Sequence, residues 1–116
     1  MAERTNPYEV EEAFLWAMKN ALEKGYIRAL KYDIETRAFY LRNSDSVEIR
    51  DKFSELMKKA DEAFRIENEY GAGCLLDLDN PAVARLIEKH VFPPEEVNAA
   101  QKYRSMKSIT VGTNTN

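Results

Sequence analysis

The chain has 116 residues, 44% of them hydrophobic and 32% charged, with a formal net charge of −3 at pH 7. This length is typical of one domain with a single modest core, and the acidic balance argues against a general nucleic-acid coat protein, which is normally basic. The longest apolar run, residues 13–18, is too short for a membrane span, which needs about 20 residues. No basic segment precedes an apolar one as in a signal peptide.

The cysteine and histidine content limits the chemistry further. Cys74 is the only cysteine and His90 the only histidine of the sequence. A single cysteine cannot form an internal disulfide and is typical of a reducing compartment, so we expect a cytoplasmic protein without a membrane segment. Structural zinc sites use four Cys or His ligands, so we predict no metal and no cofactor.

A first helix is predicted between an N-cap at Asn6 and a terminating glycine at Gly25. Pro7 suits the first helical position, and Gly25 can adopt the positive φ that ends many helices. At 100° per residue, the apolar side chains of this segment fall on one wide face. That face consists of Val10, Phe14, Ala17, Met18, Ala21 and Leu22.

Trp16 lies opposite this apolar face, among polar residues. A large aromatic side chain in that position is typical of protein interfaces, which are enriched in Trp, Tyr and Arg. Alternatively, the C-terminal half of the chain folds back and covers it. The first interpretation makes Trp16 a candidate interface residue.

Residues 26–42 are predicted to form a two-stranded antiparallel β-hairpin. Residues 33–36 resemble a type I turn in which Asp33 accepts hydrogen bonds from Thr36. Such loops usually continue with a glycine in the left-handed conformation, whereas Arg37 stands there in this chain. The apolar face of the hairpin would pack on helices and leave a mixed, basic face outside. The apolar face would comprise Leu30, Tyr32, Phe39 and Leu41.

The open edges of this hairpin bear on the oligomeric state. A two-stranded hairpin is marginally stable by itself. Its unpaired edges favour pairing with a second copy of the chain. We therefore expect a homo-oligomer.

The rest of the chain is predicted to be mostly helical. A long helix begins with Asp45 as its cap and Glu48 three residues later, and runs to about Tyr70. Residues 74–78 form either a strand or a buried connector, because periodicity cannot distinguish the two. Asn80 and Pro81 open a short third helix.

The C-terminal part completes an α+β fold. Residues 95–106 are predicted to form a fourth helix, and residues 108–111 a possible short strand. The predicted order is thus a helix, the hairpin, a long helix, two shorter helices and a possible C-terminal strand. Residues 1–112 would form one α+β domain, and residues 113–116 a flexible polar tail.

Catalytic and metal-binding patterns are weak in this sequence. Cys74 and His90 are the only thiol–imidazole pair, and two isolated residues of this kind are typical of packing and of a helix end. Asp77 and Asp79 could hold a hard cation from one side of a strand, but capping of the next helix is the more frequent use of such residues. Because no set of nucleophile, base and orienting group is recognisable, we predict a non-enzymatic protein with no catalytic residues.

Basic residues concentrate in two segments. Residues 26–43 contain four Lys or Arg and two acidic residues, and residues 97–116 contain three Lys or Arg and no acidic residue. Arginine suits bidentate contacts with phosphate, and tyrosine can stack on a base. We therefore predict a phosphate-bearing ligand, either a nucleotide or a nucleic acid. The candidate ligand-binding residues are Arg28, Lys31, Arg37, Tyr40, Arg42, Arg104 and Lys107.

Two alternatives remain open. Lys and Arg on a strand face also serve simply to solvate a sheet and prevent aggregation. A second functional hypothesis is a protein–protein inhibitor or adaptor that covers a partner's site, with Trp16 as an anchor and the acidic residues 44–70 steering it toward a basic target.

Overall fold

Five helices form the part of the chain that the structure describes. The structure is a computed structural model that describes the backbone of residues 6–114 and the side chains of residues 6–107. No strand occurs within residues 6–114. The helices are α1 (Glu9–Lys24), α2 (Ile27–Arg42), α3 (Val47–Tyr70), α4 (Pro81–Glu88) and α5 (Pro94–Asn114).

The predicted α+β class is therefore wrong, and so is the β-hairpin. Residues 26–42, which were expected to form two strands, are almost entirely the single helix α2. The possible C-terminal strand at residues 108–111 is wrong as well, because this segment continues α5. Residues 74–78 form the buried connector rather than a strand. The predicted tail, residues 113–116, lies partly outside the described residues.

The spacing of apolar residues explains why α2 is a helix. Ile27, Leu30, Ala38 and Leu41 are buried, and Ile34 is partly buried among them. Intervals of three and four residues place all five on one helical face. A hairpin would have divided the same residues between two faces of a ribbon.

Local hydrogen bonds within α2 replace the predicted turn. Arg37 Nη1 donates to Asp33 Oδ1 at 2.6 Å, and the Thr36 hydroxyl donates to the Tyr32 carbonyl at 2.8 Å. Both contacts join residues four apart, as neighbours on a helix surface are. Since residues 26–42 contain neither glycine nor proline, nothing in the segment favours the left-handed residue that the turn required.

Helices α1, α2 and α3 pack around the larger core of the described chain. Short connections at residues 25–26 and 43–46 make consecutive helices antiparallel neighbours. The largest fully buried side chains of this core are Met18, Leu30 and Leu41. Its other buried members are Leu15, Ala21, Ile27, Ala38, Ile49, Phe53, Ala60 and Ala63.

Several predicted helix ends are confirmed. Gly25 ends α1 in the left-handed conformation at φ 78°, and Asn80 caps α4 by accepting from Ala82 N at 2.8 Å, with Pro81 beginning the helix. The cap of α3 is Ser46 rather than Asp45, since the Ser46 hydroxyl accepts from Ile49 N at 3.2 Å.

A smaller apolar cluster joins α4 and α5 to the three-helix core. Leu76, Val83 and Ala100 are buried in it, and Tyr26 contacts both clusters. The connector of residues 71–80 reaches the α1–α2 turn through its backbone, where Asp77 N donates to the Lys24 carbonyl at 3.2 Å. This contact positions α4 and α5 beside the N-terminal end of α2.

Within residues 6–114, no helix combines the length and the apolar content needed to cross a bilayer. This finding does not test the predicted cytoplasmic location, which stays a prediction.

Candidate functional site

The predicted ligand-binding residues do not form one surface. Arg28, Lys31, Arg37, Tyr40 and Arg42 all lie on α2. At a rise of 1.5 Å per residue, the first and the last of them are about 21 Å apart along the helix axis. The helix therefore distributes these residues over two ends and several faces.

Arg28 and Lys31 lie at the N-terminal end of α2, where each meets a carboxylate. Arg28 Nη2 is in direct contact with Glu96 Oε2, and Lys31 Nζ lies 3.6 Å from Glu67 Oε1. The two carboxylate side chains are 10% and 13% exposed, while those of Arg28 and Lys31 are 77% and 50% exposed. The acids are thus the inner groups and the cations the outer groups of both pairs.

These two ion pairs border a cavity of about 350 Å³, which we call the α2 N-terminal cavity. Its walls come from the start of α2, the end of α3, the connector after α3 and the α4–α5 turn. Two aromatic rings belong to it, those of Tyr26 and Phe92, whose centroids are 6.1 Å apart. Its remaining apolar lining includes Leu76, Leu86 and Val91.

Gly73 allows the close approach that shapes this cavity. A Cβ atom at Gly73 would lie 2.5 Å from the Glu96 Cβ atom, well inside van der Waals contact. The connector and the first turn of α5 touch here only because residue 73 has no side chain. Gly73 N also donates to Glu67 Oε2 at 3.3 Å, which holds the second carboxylate in place.

Arg37 and Tyr40 belong to an aromatic cluster on the side of α2 next to α1. The Arg37 guanidinium lies 4.9 Å from the centroid of the Phe14 ring and 5.4 Å from that of Tyr32. Tyr40 contacts Phe14 at 6.5 Å and Phe39 at 5.8 Å between ring centroids. We call this set, Phe14, Tyr32, Arg37, Phe39 and Tyr40, the Arg37 cluster.

Three members of the Arg37 cluster are exposed to solvent. Tyr32 is 59% exposed, Phe39 70% and Tyr40 58%. Their positions follow from the helix, because the buried face of α2 points the opposite way. Of these three, Phe39 and Tyr40 contact each other, and Tyr32 contacts Arg37. Exposed aromatic groups of this kind form a surface suited to binding.

The remaining predicted cations are elsewhere. Arg42 lies over the Phe53 ring at 5.8 Å. Arg104 donates to Asp79 Oδ1 at 2.9 Å, and Lys107 lies 5.4 Å from the Tyr103 ring. Arg104 and Lys107 border a second cavity, of about 530 Å³, which neither Arg28 nor Lys31 lines. The two basic segments therefore do not converge on one cavity of the described chain.

Trp16, the predicted interface residue, is 67% exposed on α1. The described C-terminal helices do not cover it, so the alternative interpretation of this residue is wrong. Around α1, the exposed Ala13 and partly buried Ala17 lie between Trp16 and Val10. Val10 is 63% exposed and precedes Phe14 by one helical turn, so the apolar surface extends from the Arg37 cluster across α1.

Cys74 and His90 have the structural roles that are usual for such residues. Cys74 is 2% exposed, and burial raises the pKa of its thiol, with the negative charge of Glu67 adding to the shift. His90 is exposed and follows the C-terminal end of α4 at a positive φ of 59°. Among the described residues, no three His, Cys, Asp or Glu side chains are grouped as metal ligands would be.

Cys74 should react slowly with thiol reagents in the folded protein. Because only the thiolate is nucleophilic, a raised pKa and burial act together, and we expect modification by a disulfide reagent at pH 7.5 to be at least about tenfold slower than in the denatured chain. The measurement is the absorbance time course with and without denaturant. Equal rates in both states would show that the thiol is accessible. A Cys74→Ser variant supplies the blank.

The same shift has a consequence for pH dependence. The folded state holds the thiol proton more tightly than the unfolded state does. The stability that the raised pKa of Cys74 contributes is therefore complete below the ordinary thiol pKa of about 8.5. It declines as pH rises above that value, because the unfolded chain then loses the thiol proton first. The Cys74→Ser variant should lose this part of the alkaline decline.

Several residues of these sites were missed by the sequence interpretation. The apolar period of residues 27–41 could have shown that Tyr32 and Phe39 face away from the core. Glu67 and Glu96 carry no such signal, since their cationic partners lie 36 and 68 positions earlier in the chain.

Comparison with known protein families, curated protein sequences and solved structures gives no match.

Proposed function

We propose that this chain is a non-catalytic protein-binding module, an inhibitor or adaptor that docks on a partner through the Arg37 cluster and the adjoining exposed side of α1. The observation that carries this proposal is the set of three aromatic side chains on α2 that are more than half exposed, of which Tyr32 lies against Arg37 and Phe39 lies against Tyr40. Aromatic residues and arginine dominate the energetics of protein interfaces.

Preorganisation supports this use of the Arg37 cluster. The Arg37 side chain is only 29% exposed, because it lies between two rings and is paired with Asp33. A partner would not have to order it, so less side-chain entropy would be lost on binding. Arg37 thus supports the exposed ring of Tyr32, while Phe14 contacts both Arg37 and the ring of Tyr40.

Charge indicates the chemistry of the partner. Glu9, Glu12 and Glu23 are exposed on the same side of α1 as Trp16, with Lys19 as the one basic residue on that side. Glu35 is exposed on α2 beside Tyr32. On α1 the apolar surface is therefore bordered mainly by carboxylates, whereas on α2 the exposed Arg28 and Arg42 lie one helical turn from Tyr32 and Phe39. A complementary partner would present an apolar groove with Lys or Arg along the edge that faces α1.

The hypothesis of a phosphate-bearing ligand has weaker support. It rested on seven residues acting together. Arg28, Lys31, Arg37 and Arg104 each have a carboxylate partner, so a phosphate would have to compete with an acid already in place. Nucleotide or nucleic-acid binding stays a prediction.

The expected homo-oligomer also stays a prediction, but its first reason no longer applies. That reason was the open edge of a β-hairpin, and the segment is helical. The exposed aromatic side chains of α1 and α2 provide a different reason, because a second copy could cover them.

The test is selection of binding peptides from a displayed library of amphipathic helices. We expect the full chain to enrich peptides with an apolar face flanked by Lys and Arg. Replacing Phe39 and Tyr40 together by alanine should weaken their binding at least about tenfold, as loss of interface anchors does. Binding should also weaken as salt rises, because acidic residues border the surface.

Tyr70→Ala is the matched control. Tyr70 is an exposed aromatic residue too, but it contacts Tyr103 and lies outside the Arg37 cluster. This variant should bind the selected peptides as the wild-type chain does. Enrichment of acidic peptides, or equal binding by the Phe39→Ala/Tyr40→Ala variant, would refute the proposal.

A further inference from the structure

The α2 N-terminal cavity has a charge arrangement that suits a cation better than an anion. Its inner polar groups are the carboxylates of Glu67 and Glu96, whereas its cations are more exposed, Arg28 largely and Lys31 by half. All four charged side chains line the cavity, and the two carboxylates are the deeper ones. Its volume of about 350 Å³ lies at the lower end of the range for small-molecule sites.

We propose that this cavity binds a small organic amine, a primary ammonium group on an apolar, preferably aromatic, body. The ammonium group would take the place of the Arg28 guanidinium or the Lys31 ammonium beside the inner carboxylates. The apolar body would lie against the rings of Tyr26 and Phe92. This site is separate from the Arg37 cluster and does not depend on the proposed protein-binding function.

Exchange of one cation for another makes this binding favourable. A buried carboxylate needs a cationic partner, because leaving it unpaired is strongly unfavourable. The Arg28 side chain is already mostly hydrated, so its release to solvent costs little. The charge balance at Glu96 is then unchanged, while the ligand body gains the burial of apolar surface.

The aromatic lining adds a preference for cations. The faces of Tyr26 and Phe92 carry negative potential, which attracts an ammonium group within about 6 Å. An anionic ligand would instead lie beside the two inner carboxylates, and the cations of the lining, Arg28 and Lys31, are already paired with them. The sign of the ligand charge is therefore the property that distinguishes this proposal from a phosphate site.

The experiment compares phenethylamine, 2-phenylethanol and phenylacetate, which share one ring and differ in charge, with phenyl phosphate as a second anion. Binding to the full chain is followed by saturation-transfer NMR and calorimetry. We expect phenethylamine to bind most tightly, the alcohol less tightly and both anions least. Equal binding of all four probes, no binding of the amine, or tighter binding of an anion would overturn the proposal.

Two variants of opposite effect sharpen the test. Glu96→Gln keeps the shape but removes the charge, and should weaken phenethylamine binding by about tenfold or more. Arg28→Ala removes the competing cation and should strengthen it. A weaker amine affinity in Arg28→Ala would contradict the exchange of cations.

Glu95→Gln is the control for Glu96→Gln, because Glu95 is its exposed neighbour in the first turn of α5. It should leave the affinity for the amine unchanged. Circular dichroism establishes that each variant is folded. If Glu96→Gln unfolds the chain, Glu67→Gln serves in its place, with the same expected loss and the same refuting outcome of unchanged affinity.

Discussion

Gly25→Ala is expected to destabilise the protein by about 2–5 kcal/mol, the sum of a left-handed alanine and a steric overlap in a packed region. A Cβ atom at residue 25 would lie 2.0 Å from the Leu75 carbonyl oxygen and 2.4 Å from its carbon. These are backbone atoms, which cannot rotate away as a flexible side chain can. The connector would have to shift, and the hydrogen bond from Asp77 N to the Lys24 carbonyl would be strained or lost.

Urea denaturation of wild-type and variant chains measures this effect. The Gly25→Asn variant separates the two causes, because asparagine adopts the left-handed conformation more readily than alanine does. Its Cβ atom occupies the same place, so we expect it to be nearly as destabilising. If Gly25→Asn were as stable as the wild type, the close approach of Leu75 would not be part of the fold.

Leu30→Ala and Tyr32→Ala should have very different effects on stability. Leu30 is 1% exposed and Tyr32 is 59% exposed. Removing the Leu30 side chain leaves a cavity in the core and should cost about 2–5 kcal/mol. Removing the Tyr32 ring loses a solvent-exposed contact with Arg37 and should cost less than about 1 kcal/mol.

This pair of variants also distinguishes the helix from the hairpin that the sequence interpretation favoured. In a strand, residues two apart share a face, so both replacements would remove packed groups. In α2 they lie about 160° apart around the axis. Comparable losses of unfolding free energy, measured by urea denaturation, would contradict the helix. Ala29→Gly, at an exposed position of α2, controls for the general cost of altering this helix.

Parts of this fold follow from local sequence. Gly25 ends α1 because glycine readily adopts the positive φ at which the helix terminates. Asn80 and Pro81 start α4 by the local chemistry of a cap and a fixed φ. These features depend on residues close together in sequence, which is why they could be predicted.

The error at residues 26–42 has a specific cause. Asp33 and Thr36 have the composition of a turn, and this short local pattern competes with the helical spacing of the apolar residues Ile27, Leu30, Ile34, Ala38 and Leu41. The helical period extends over fifteen residues and decides the conformation, because it is the arrangement that buries all five side chains against α1 and α3. The arginine at position 37, where a turn requires glycine, was the local sign against the hairpin.

The sequence by itself determined the helix ends at Gly25 and Asn80, the burial of Cys74 and the position of Trp16 on the polar side of α1. Only the tertiary structure decided which acid neutralises which base. Arg28 meets Glu96 because Gly73 lets the connector and α5 approach each other, and Lys31 meets Glu67 because α3 extends past the end of α2. Such pairs join distant parts of the chain, and no local propensity encodes them. For this reason the basic residues that the sequence assigns to one predicted surface lie at separate sites in the structure.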